Sequence, residues 1–172
     1  RFTTDGSDPS AEHGIDYAGP FQIGGNMVVR ARVLAPGTDT APIATHTYVF
    51  PEATILQPRN PEGFPKTWGE YDGESVEADY AMDPEVVFDE LYRDRIVSDM
   101  RALPTVSIAM DPSGLFGPSG IYSNPLLRGR DWERPATFEL FGAEGGLEIA
   151  ARCGIRIAGG YSRKPDANRK HS

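Results

Sequence analysis

The sequence predicts a mainly β protein with some helix, in which a partial β-sandwich is followed by an incomplete α+β unit. Two patterns support this fold class. The first 50 residues contain short runs in which apolar and polar side chains alternate, separated by turn-forming residues. The following part adds a capped helical segment among further strand-like runs. We therefore expect two units within the 172 residues.

Composition excludes several functional classes. The chain has 17 Lys and Arg against 25 Asp and Glu, and its formal net charge of -8 disfavours nucleic acid as a partner because phosphate contacts need clustered cations. No apolar run approaches the roughly 18 residues of a membrane span. Cys153 is the one cysteine, which excludes an internal disulfide and a cysteine-rich zinc site in this segment.

The first unit is predicted to consist of antiparallel strands joined by turns. Residues 27–34 alternate, with arginines on one face, which is typical of a half-buried strand. Residues 45–50 form a second such run after a loop at 35–40. Turns at 5–9 and 18–20 complete the pattern of an antiparallel sandwich.

Residues 51–83 are rich in proline, glycine and acids and show little periodicity. Such a composition predicts a partly ordered linker, in which Trp68 and Tyr71 are the expected anchors. This linker separates the partial sandwich of residues 1–50 from the α+β unit of residues 84–172.

The second unit is predicted to begin with a helix. Asp83 is a good N-cap and Pro84 suits the first helical position. Apolar positions among the charges of residues 85–101 predict one helix or two short ones, ending before Pro104. The later predictions are strands at 105–110, 136–141 and 147–157, a turn at 111–114, a loop at 115–120 and a turn at Gly145-Gly146.

Four blocks of the first unit occur in the order of a known module: Phe2-Thr3-Thr4-Asp5-Gly6-Ser7-Asp8-Pro9-Ser10, Tyr17-Ala18-Gly19-Pro20-Phe21, Val28-Val29-Arg30-Ala31-Arg32-Val33 and Thr47-Tyr48-Val49-Phe50. The series resembles the chitobiase/β-hexosaminidase carboxy-terminal module, an immunoglobulin-like accessory sandwich of secreted bacterial proteins. It covers roughly the last two-thirds of such a module. We therefore expect a segment of a longer polypeptide that is extracellular or at the cell surface.

The second unit carries five further blocks: Leu103-Pro104-Thr105-Val106-Ser107-Ile108, Leu115-Phe116-Gly117, Gly120-Ile121-Tyr122, Trp132-Glu133-Arg134-Pro135-Ala136 and Gly154-Ile155-Arg156-Ile157-Ala158-Gly159-Gly160-Tyr161-Ser162-Arg163. They resemble the amino-terminal part of a CotH-type (spore-coat kinase H) domain, a kinase-like fold that also occurs in bacterial surface proteins. The resemblance implies ATP and Mg²⁺ for the intact parent, with the catalytic Asp and acidic metal ligands beyond Ser172. The segment itself would then hold no catalytic residue, metal ligand or cofactor.

The candidate cofactor-binding residues lie near the carboxyl end: Gly159, Gly160, Ser162, Arg163 and Lys170. A glycine-rich turn lets backbone N–H groups approach phosphates, and a lysine adds a positive charge. Residues 156–172 carry a net charge of +4 and the remainder carries -12, so the basic end suits an anionic ligand. Because the sequence lacks a Walker motif and a G-x-G-x-x-G motif, a solvated hairpin is the alternative.

Metal binding has weaker support. Asp5 and Asp8 lie in one tight turn and could share a calcium ion, but calcium needs six or more oxygens. An Asx turn is therefore favoured. The three histidines are scattered and have no second ligand at metal spacing, so exposed or capped positions are expected: His13, His46 and His171.

Three acids of the second unit could suggest a carboxylate pair for glycoside hydrolysis: Asp131, Glu133 and Glu139. Three arginines lie close by, and ion pairing with them is the favoured interpretation: Arg128, Arg130 and Arg134. Trp132 is expected in the core rather than as a sugar platform. Cys153 is expected to be a buried small hydrophobe.

Two functional hypotheses follow. In the first, the intact parent transfers a phosphoryl group from ATP to a protein, while this segment alone is inactive. In the second, the parent is a non-catalytic cell-surface or matrix protein, with the sandwich as a spacer or carbohydrate contact and the kinase-like unit inactive. A third, weaker hypothesis is polysaccharide binding through aromatic side chains of the first unit: Phe2, Tyr17, Phe21 and Tyr48. The expected partners are the remaining domains of the same polypeptide and other surface or matrix proteins.

Overall fold

The structure is a computed structural model that describes residues 1–35 and 41–164. In this part of the chain two three-stranded antiparallel sheets accompany a β-hairpin and short helices. The elements are β1 Phe2–Thr3, β2 Met27–Ala31, β3 Ala44–Tyr48, α1 Pro51–Thr54, β4 Thr67–Tyr71, β5 Glu74–Glu77, α2 Pro84–Val87, α3 Ile96–Arg101, β6 Thr105–Ala109, α4 Pro112–Phe116, β7 Arg134–Phe141 and β8 Leu147–Ile155. Single 3₁₀ turns occur at Arg130–Trp132, Ala143–Gly145 and Tyr161–Arg163. The mainly β fold class predicted from the sequence is confirmed.

The first sheet contains β1, β2 and β3 in chain order, and all pairs are antiparallel. The strands predicted at 27–34 and 45–50 are confirmed, although each ends earlier than its run suggested. Most of the predicted loop at 35–40 lies outside the described residues. Arg30 is the most buried residue of β2, because its guanidinium pairs with the Asp8 carboxylate and donates to the Gly6 carbonyl at 2.9 Å.

The predicted linker contains secondary structure that sequence inspection missed. The helix α1 follows β3 directly, and a hairpin joins β4 to β5 through Asp72-Gly73, both at positive φ. An Asp-Gly pair is a strong hairpin signal because both turn positions need the left-handed region. The predicted anchoring by the side chains of Trp68 and Tyr71 lies outside the described part of the chain.

The residues that follow this hairpin form a small core. Val76, Ala78 and Tyr80 are buried together, and Phe116 of α4 packs against them. Burial raises the pKa of Tyr80 to about 12, and Tyr122 adds to that increase. Its hydroxyl donates to the Pro65 carbonyl at 3.1 Å. The segment between the two sheets is therefore packed against the second unit.

Helix caps explain two of the short helices. At α2 the Asp83 carboxylate accepts from the Glu85 N–H at 2.9 Å, which confirms the predicted cap. The predicted turn at 111–114 is instead the beginning of α4, where Asp111 accepts from the Ser113 N–H at 2.8 Å and Pro112 is the first helical residue. The same Asp-Pro pair thus begins both helices.

The second sheet has the order β6-β7-β8, with the long strand β7 in the centre. The strands predicted at 105–110, 136–141 and 147–157 are confirmed, with small differences in their ends. One face carries apolar side chains, such as Ile108, Phe138 and Ala151, which lie opposite one another. The other face carries Ser107 opposite Glu139 and is turned toward the first sheet.

Cys153 is exposed, so the prediction of a buried thiol was wrong. The reason is its place in the sheet. In the described part of the chain β8 pairs with β7 and lies at the sheet edge, and eight of its nine residues are exposed. An apolar run therefore did not indicate burial in this strand.

Candidate functional site: the contact between the sheets

The most deeply buried polar side chain lies where the two sheets meet. Glu139 is fully buried, and the Thr47 hydroxyl donates to its Oε2 at 2.6 Å. The same Thr47 oxygen lies 2.7 Å from the hydroxyl of Ser107. Beside them, Thr137 donates to Thr45 at 3.1 Å. We call these five residues the inter-sheet cluster.

Sheet register explains why the inter-sheet cluster forms. Glu139 lies on the central strand β7, directly opposite Ser107 of β6. Residues that face each other across strands share one face of the sheet, and serine is small enough to leave room for the carboxylate. Thr45 and Thr47 are two positions apart on β3, so both turn toward the second sheet. Three different strands therefore bring five polar side chains together.

One oxygen of Glu139 is left without a hydrogen-bond partner. Its Oε1 is buried, and His46 Nδ1 lies 3.6 Å away, beyond hydrogen-bonding distance. The His46 ring is about half exposed and stands edge-on to Tyr48 and Phe141. A buried carboxylate with one satisfied oxygen is costly, because desolvation of a charge is only partly offset. The contact is thus specific in geometry rather than strongly stabilising in itself.

The predicted ion pairing of the second-unit acids was wrong. In the described part of the chain, Asp131, Glu133 and Glu139 form no ion pair with the three arginines near them. Arg134 instead donates to backbone carbonyls, including that of Ser119 at 2.6 Å. Its guanidinium also lies 5.1 Å from the ring of Trp132, which is half-buried. Turn carbonyls satisfy this arginine without a carboxylate.

A second contact joins the units through Asp111. Its Oδ1 caps α4, and its Oδ2 accepts from the Asp8 N–H at 2.8 Å. Partial burial by itself would raise the pKa of Asp111, but the hydrogen bonds from Ser113 and Asp8 outweigh burial and lower it, with help from the positive charge of Arg30. One oxygen of the Asp111 carboxylate therefore accepts from the second unit, and the other accepts from the first unit.

The turn at Asp5 is an Asx turn, as favoured from the sequence. Its carboxylate accepts from the Ser7 N–H at 3.0 Å, and Asp8 pairs with Arg30 rather than with a shared cation. Burial would raise the pKa of Asp5, but hydrogen bonds from Ser7 and the charge of His13 lower it. Among the described residues no group of three or more His, Cys, Asp or Glu is arranged to bind a metal ion.

The candidate phosphate loop is a short turn against the surface. Gly159 has φ +113, and a Cβ there would lie 2.4 Å from the Ser162 hydroxyl, so glycine is required. Gly160 has open space above its Cα. Lys164 lies 5.0 Å from the ring of the exposed Tyr161. The predicted residue Lys170 and the histidine His171 lie outside the described residues.

Arg163 of this loop points inward. It is buried, and its Nε donates to the Pro125 carbonyl at 2.8 Å while a terminal nitrogen donates to the Leu127 carbonyl. The guanidinium thereby attaches the loop to residues 123–129. The structure brings Gly159, Ser162 and Arg163 together in one turn. The Arg163 guanidinium, however, donates its hydrogen bonds to backbone carbonyl oxygens. Sequence inspection could not reveal this role, because the acceptors are backbone atoms 36 and 38 positions away.

The aromatic residues of the first unit pack on one another. Phe2 is buried and stacks on Phe21 with ring centroids 4.7 Å apart, while Tyr17 meets Phe2 edge-on at 6.4 Å. Tyr48 is half-buried beside His46. Stacking on Phe21 covers one face of the buried Phe2 ring, while Phe21 and Tyr17 stay 43% and 64% exposed, so these three rings pack together at the surface.

Comparison with known proteins identifies part of the chain. Residues 1–48 match the family described as Fn3 associated. No curated protein and no solved structure matches the chain. In the described residues no helix has the length and apolar character of a membrane span. Residues 1–48 are therefore similar to an immunoglobulin- or fibronectin-like associated module, and the inter-sheet cluster is the contact of this part with the second sheet.

Proposed function

We propose that this chain is a non-catalytic connecting segment of a multidomain surface protein, in which the Fn3-associated sheet and the second sheet act as one rigid spacer. The support is the buried contact of Glu139 with Thr47 across 92 positions of sequence. The hydrogen bond from Thr47 to Glu139 Oε2 forms in one placement of β3 against β7, so it favours one arrangement of the two sheets.

Extracellular location belongs to the same proposal. Fn3-associated modules are typical of extracellular domains, and residues 1–48 match that family. The net charge of -8 favours solubility in an exposed segment. The partners of such a spacer are the remaining domains of its own polypeptide and neighbouring surface or matrix proteins.

Nuclear magnetic resonance of the 172-residue protein tests the spacer proposal. We expect the amides of β2–β3 and of β6–β8 to share one alignment tensor in a weakly aligning medium. The variant Thr47→Phe removes the donor and adds bulk, so its two sheets should need separate tensors. Ser75→Phe, on the exposed side of the β4–β5 hairpin, is the matched control and should behave like the parent. Separate tensors in the unaltered protein would contradict the proposal.

A second candidate function is phosphoryl transfer from ATP by the intact CotH-like parent with Mg²⁺. The open backbone at Gly160 and the positive φ of Gly159 support a phosphate loop. Arg163 donates to backbone carbonyl oxygens. The phosphates would therefore be contacted by the other candidate residues: Gly159, Gly160, Ser162 and Lys170. Acids beyond Ser172 would bind the metal ion.

Calorimetry with ATP and Mg²⁺ on the full-length parent tests this candidate. Lys170→Ala should weaken ATP binding at least tenfold, whereas Lys66→Ala, in the predicted linker, should leave it unchanged. Equal affinity of Lys170→Ala and the parent would exclude the assignment of Lys170. The 172-residue segment alone is expected to transfer no phosphoryl group.

A further inference from the structure

The edge of the second sheet carries an exposed strand. In the described part of the chain β8 is bonded to β7 on one side only, and eight of its nine residues are exposed. The backbone N–H and C=O groups of its outer side therefore have no strand partner there. Native proteins usually shorten, charge or cover such an edge, because it is a template for another strand. β8 carries two charges and one register shift, yet it is the longest of the described strands.

The charges of β8 are arranged symmetrically. Glu148 and Arg152 are its two charged residues, and they lie two positions on either side of Ala150. Both side chains are exposed, and neither forms an ion pair with another described residue. Glu148 is the extra residue where the β7–β8 register shifts, and its exposed carboxylate rests over Gly142, so it must swing outward to meet a partner strand. The strand thus presents two unpaired, opposite charges at equal distances from one residue.

We propose that β8 pairs with β8 of a second copy of this chain, antiparallel and about a two-fold axis at Ala150. In this register Glu148 lies opposite the partner's Arg152, and Arg152 lies opposite the partner's Glu148. Ile149 lies opposite the partner's Ala151. The two three-stranded sheets become one six-stranded sheet, in which the outer edges of both β8 strands are paired.

Other two-fold registers lack this charge pairing. An axis at Ala151 places Arg152 opposite the partner's Ala150 and leaves both charges unpaired. An axis at Arg152 places two arginines opposite each other, which is destabilising. A shift by one residue between strands would set side chains of opposite faces against each other. The register centred on Ala150 is therefore the one that β8 favours.

The apolar face of the second sheet extends across this dimer. Val106, Ile108 and Ile149 lie on that face, and each is about half exposed. Edge pairing brings the two copies of Ile149 close to the two-fold axis, because position 149 is adjacent to Ala150. The face becomes continuous over both copies, and backbone hydrogen bonds along β8 provide the main attraction.

Charge exchange tests the pairing. Sedimentation equilibrium of the 172-residue protein at low salt should show a monomer–dimer equilibrium. Glu148→Arg and Arg152→Glu should each raise the dimer dissociation constant at least tenfold, because like charges then face each other twice. The double variant should restore dimerisation to within about threefold of the parent. Glu144→Arg makes the same charge change just before β8 and should have no effect.

A thiol placed at the axis tests the register. In the double variant Ala150→Cys, Cys153→Ser, the two thiols lie opposite each other and should oxidise in air to a disulfide-linked dimer. In the unaltered protein the two Cys153 thiols are six positions from alignment, roughly 20 Å apart, and should not cross-link.

Three results would overturn the inference. The first is a monomer at every concentration up to about 1 mM. The second is a dimer that is indifferent to the charge exchange, which would indicate association through the apolar face instead. The third is a dimer in which the thiol at position 150 does not cross-link. Circular dichroism of each variant distinguishes loss of pairing from loss of folding.

Discussion

At the scale of single residues, Glu139 shows how an exposed-looking acid becomes the centre of a contact. In the sequence it stands between Phe138 and Leu140, where an acid in an alternating strand resembles a surface residue. Its burial depends on Ser107, a small residue on the neighbouring strand, and on Thr47, 92 positions away. The strand that carries Glu139 was predictable from local alternation. Its buried partner was not, because no local pattern encodes a contact between sheets.

Replacing Thr47 should measure the strength of this contact. Thr47→Val removes the donor to a buried carboxylate, and we expect the free energy of unfolding to fall by about 2 kcal/mol. Thr45→Val removes a bond between two uncharged hydroxyls and should cost about half as much. Urea denaturation provides the comparison. Equal losses of unfolding free energy for the two valine variants would show that the Glu139 carboxylate makes this hydrogen bond no stronger than one between two hydroxyls.

The charge of Glu139 can be separated from its hydrogen bond. Glu139→Gln keeps an oxygen that accepts from Thr47 and removes the buried charge, so we expect stability to stay within about 1 kcal/mol of the parent or to rise. Thermal unfolding at neutral pH tests this. A loss of several kcal/mol would instead assign a strong attraction to the nearby His46.

Arg163 gives a second prediction at this scale. Lysine cannot reproduce two donors at fixed angles, so Arg163→Lys should release the loop from Pro125 and Leu127. We expect a loss of about 1 kcal/mol and faster hydrogen exchange at 158–164. Arg156→Lys, at an exposed position in the same region, is the control and should change neither quantity. Unchanged exchange in Arg163→Lys would contradict the attachment.

At the scale of elements, local signals predicted those that depend on local chemistry. Alternation predicted β2, β3 and β7, and the Asp-Pro pair at 83 predicted α2. The same pair at 111 was interpreted as a turn because Ser113 and Gly114 follow it. In the structure the Asp111 carboxylate stabilises the first turn of α4 even though a glycine lies within that helix. The exposure of β8 was unpredictable, since apolar composition does not specify an edge.

Acid should weaken the contact made by Asp111. Its folded-state pKa is lowered, so its contribution to stability is present above the unfolded-state pKa near 3.9 and is lost as pH falls through the lower folded-state value. The parent should therefore lose more stability between about pH 5 and pH 3 than Asp111→Asn loses. Urea denaturation at several pH values measures the difference. Parallel pH profiles would contradict the assignment.

Asp111→Asn should also lower the free energy of unfolding at neutral pH. Asparagine has one side-chain oxygen, so it can cap α4 or accept from Asp8, but not both. We expect Asp111→Asn to cost about 1 kcal/mol. Asp89→Asn is the matched control, because there one side-chain oxygen accepts from the Leu91 N–H at 2.7 Å and asparagine keeps that oxygen. It should cost a few tenths of a kcal/mol in the same urea experiment.

At the scale of the whole molecule, the sequence suggested two units joined by a linker, whereas the structure has two sheets in contact. The composition of residues 51–83 predicts irregular structure, and the structure has the short helix α1 and the β4–β5 hairpin there. The contacts that join the units span 92 and 103 positions. Such contacts depend on how complete sheets meet, so inspection of one sequence does not reveal them.

We propose that the first sheet, which lies in the Fn3-associated match, and the second sheet unfold as one cooperative unit. Residue-resolved hydrogen exchange in increasing urea tests it most directly. We predict one common unfolding midpoint for the amides of β2–β3 and of β6–β8, and an equal downward shift of both groups in Thr47→Val. Separate midpoints, or a shift confined to the first sheet, would contradict the claim.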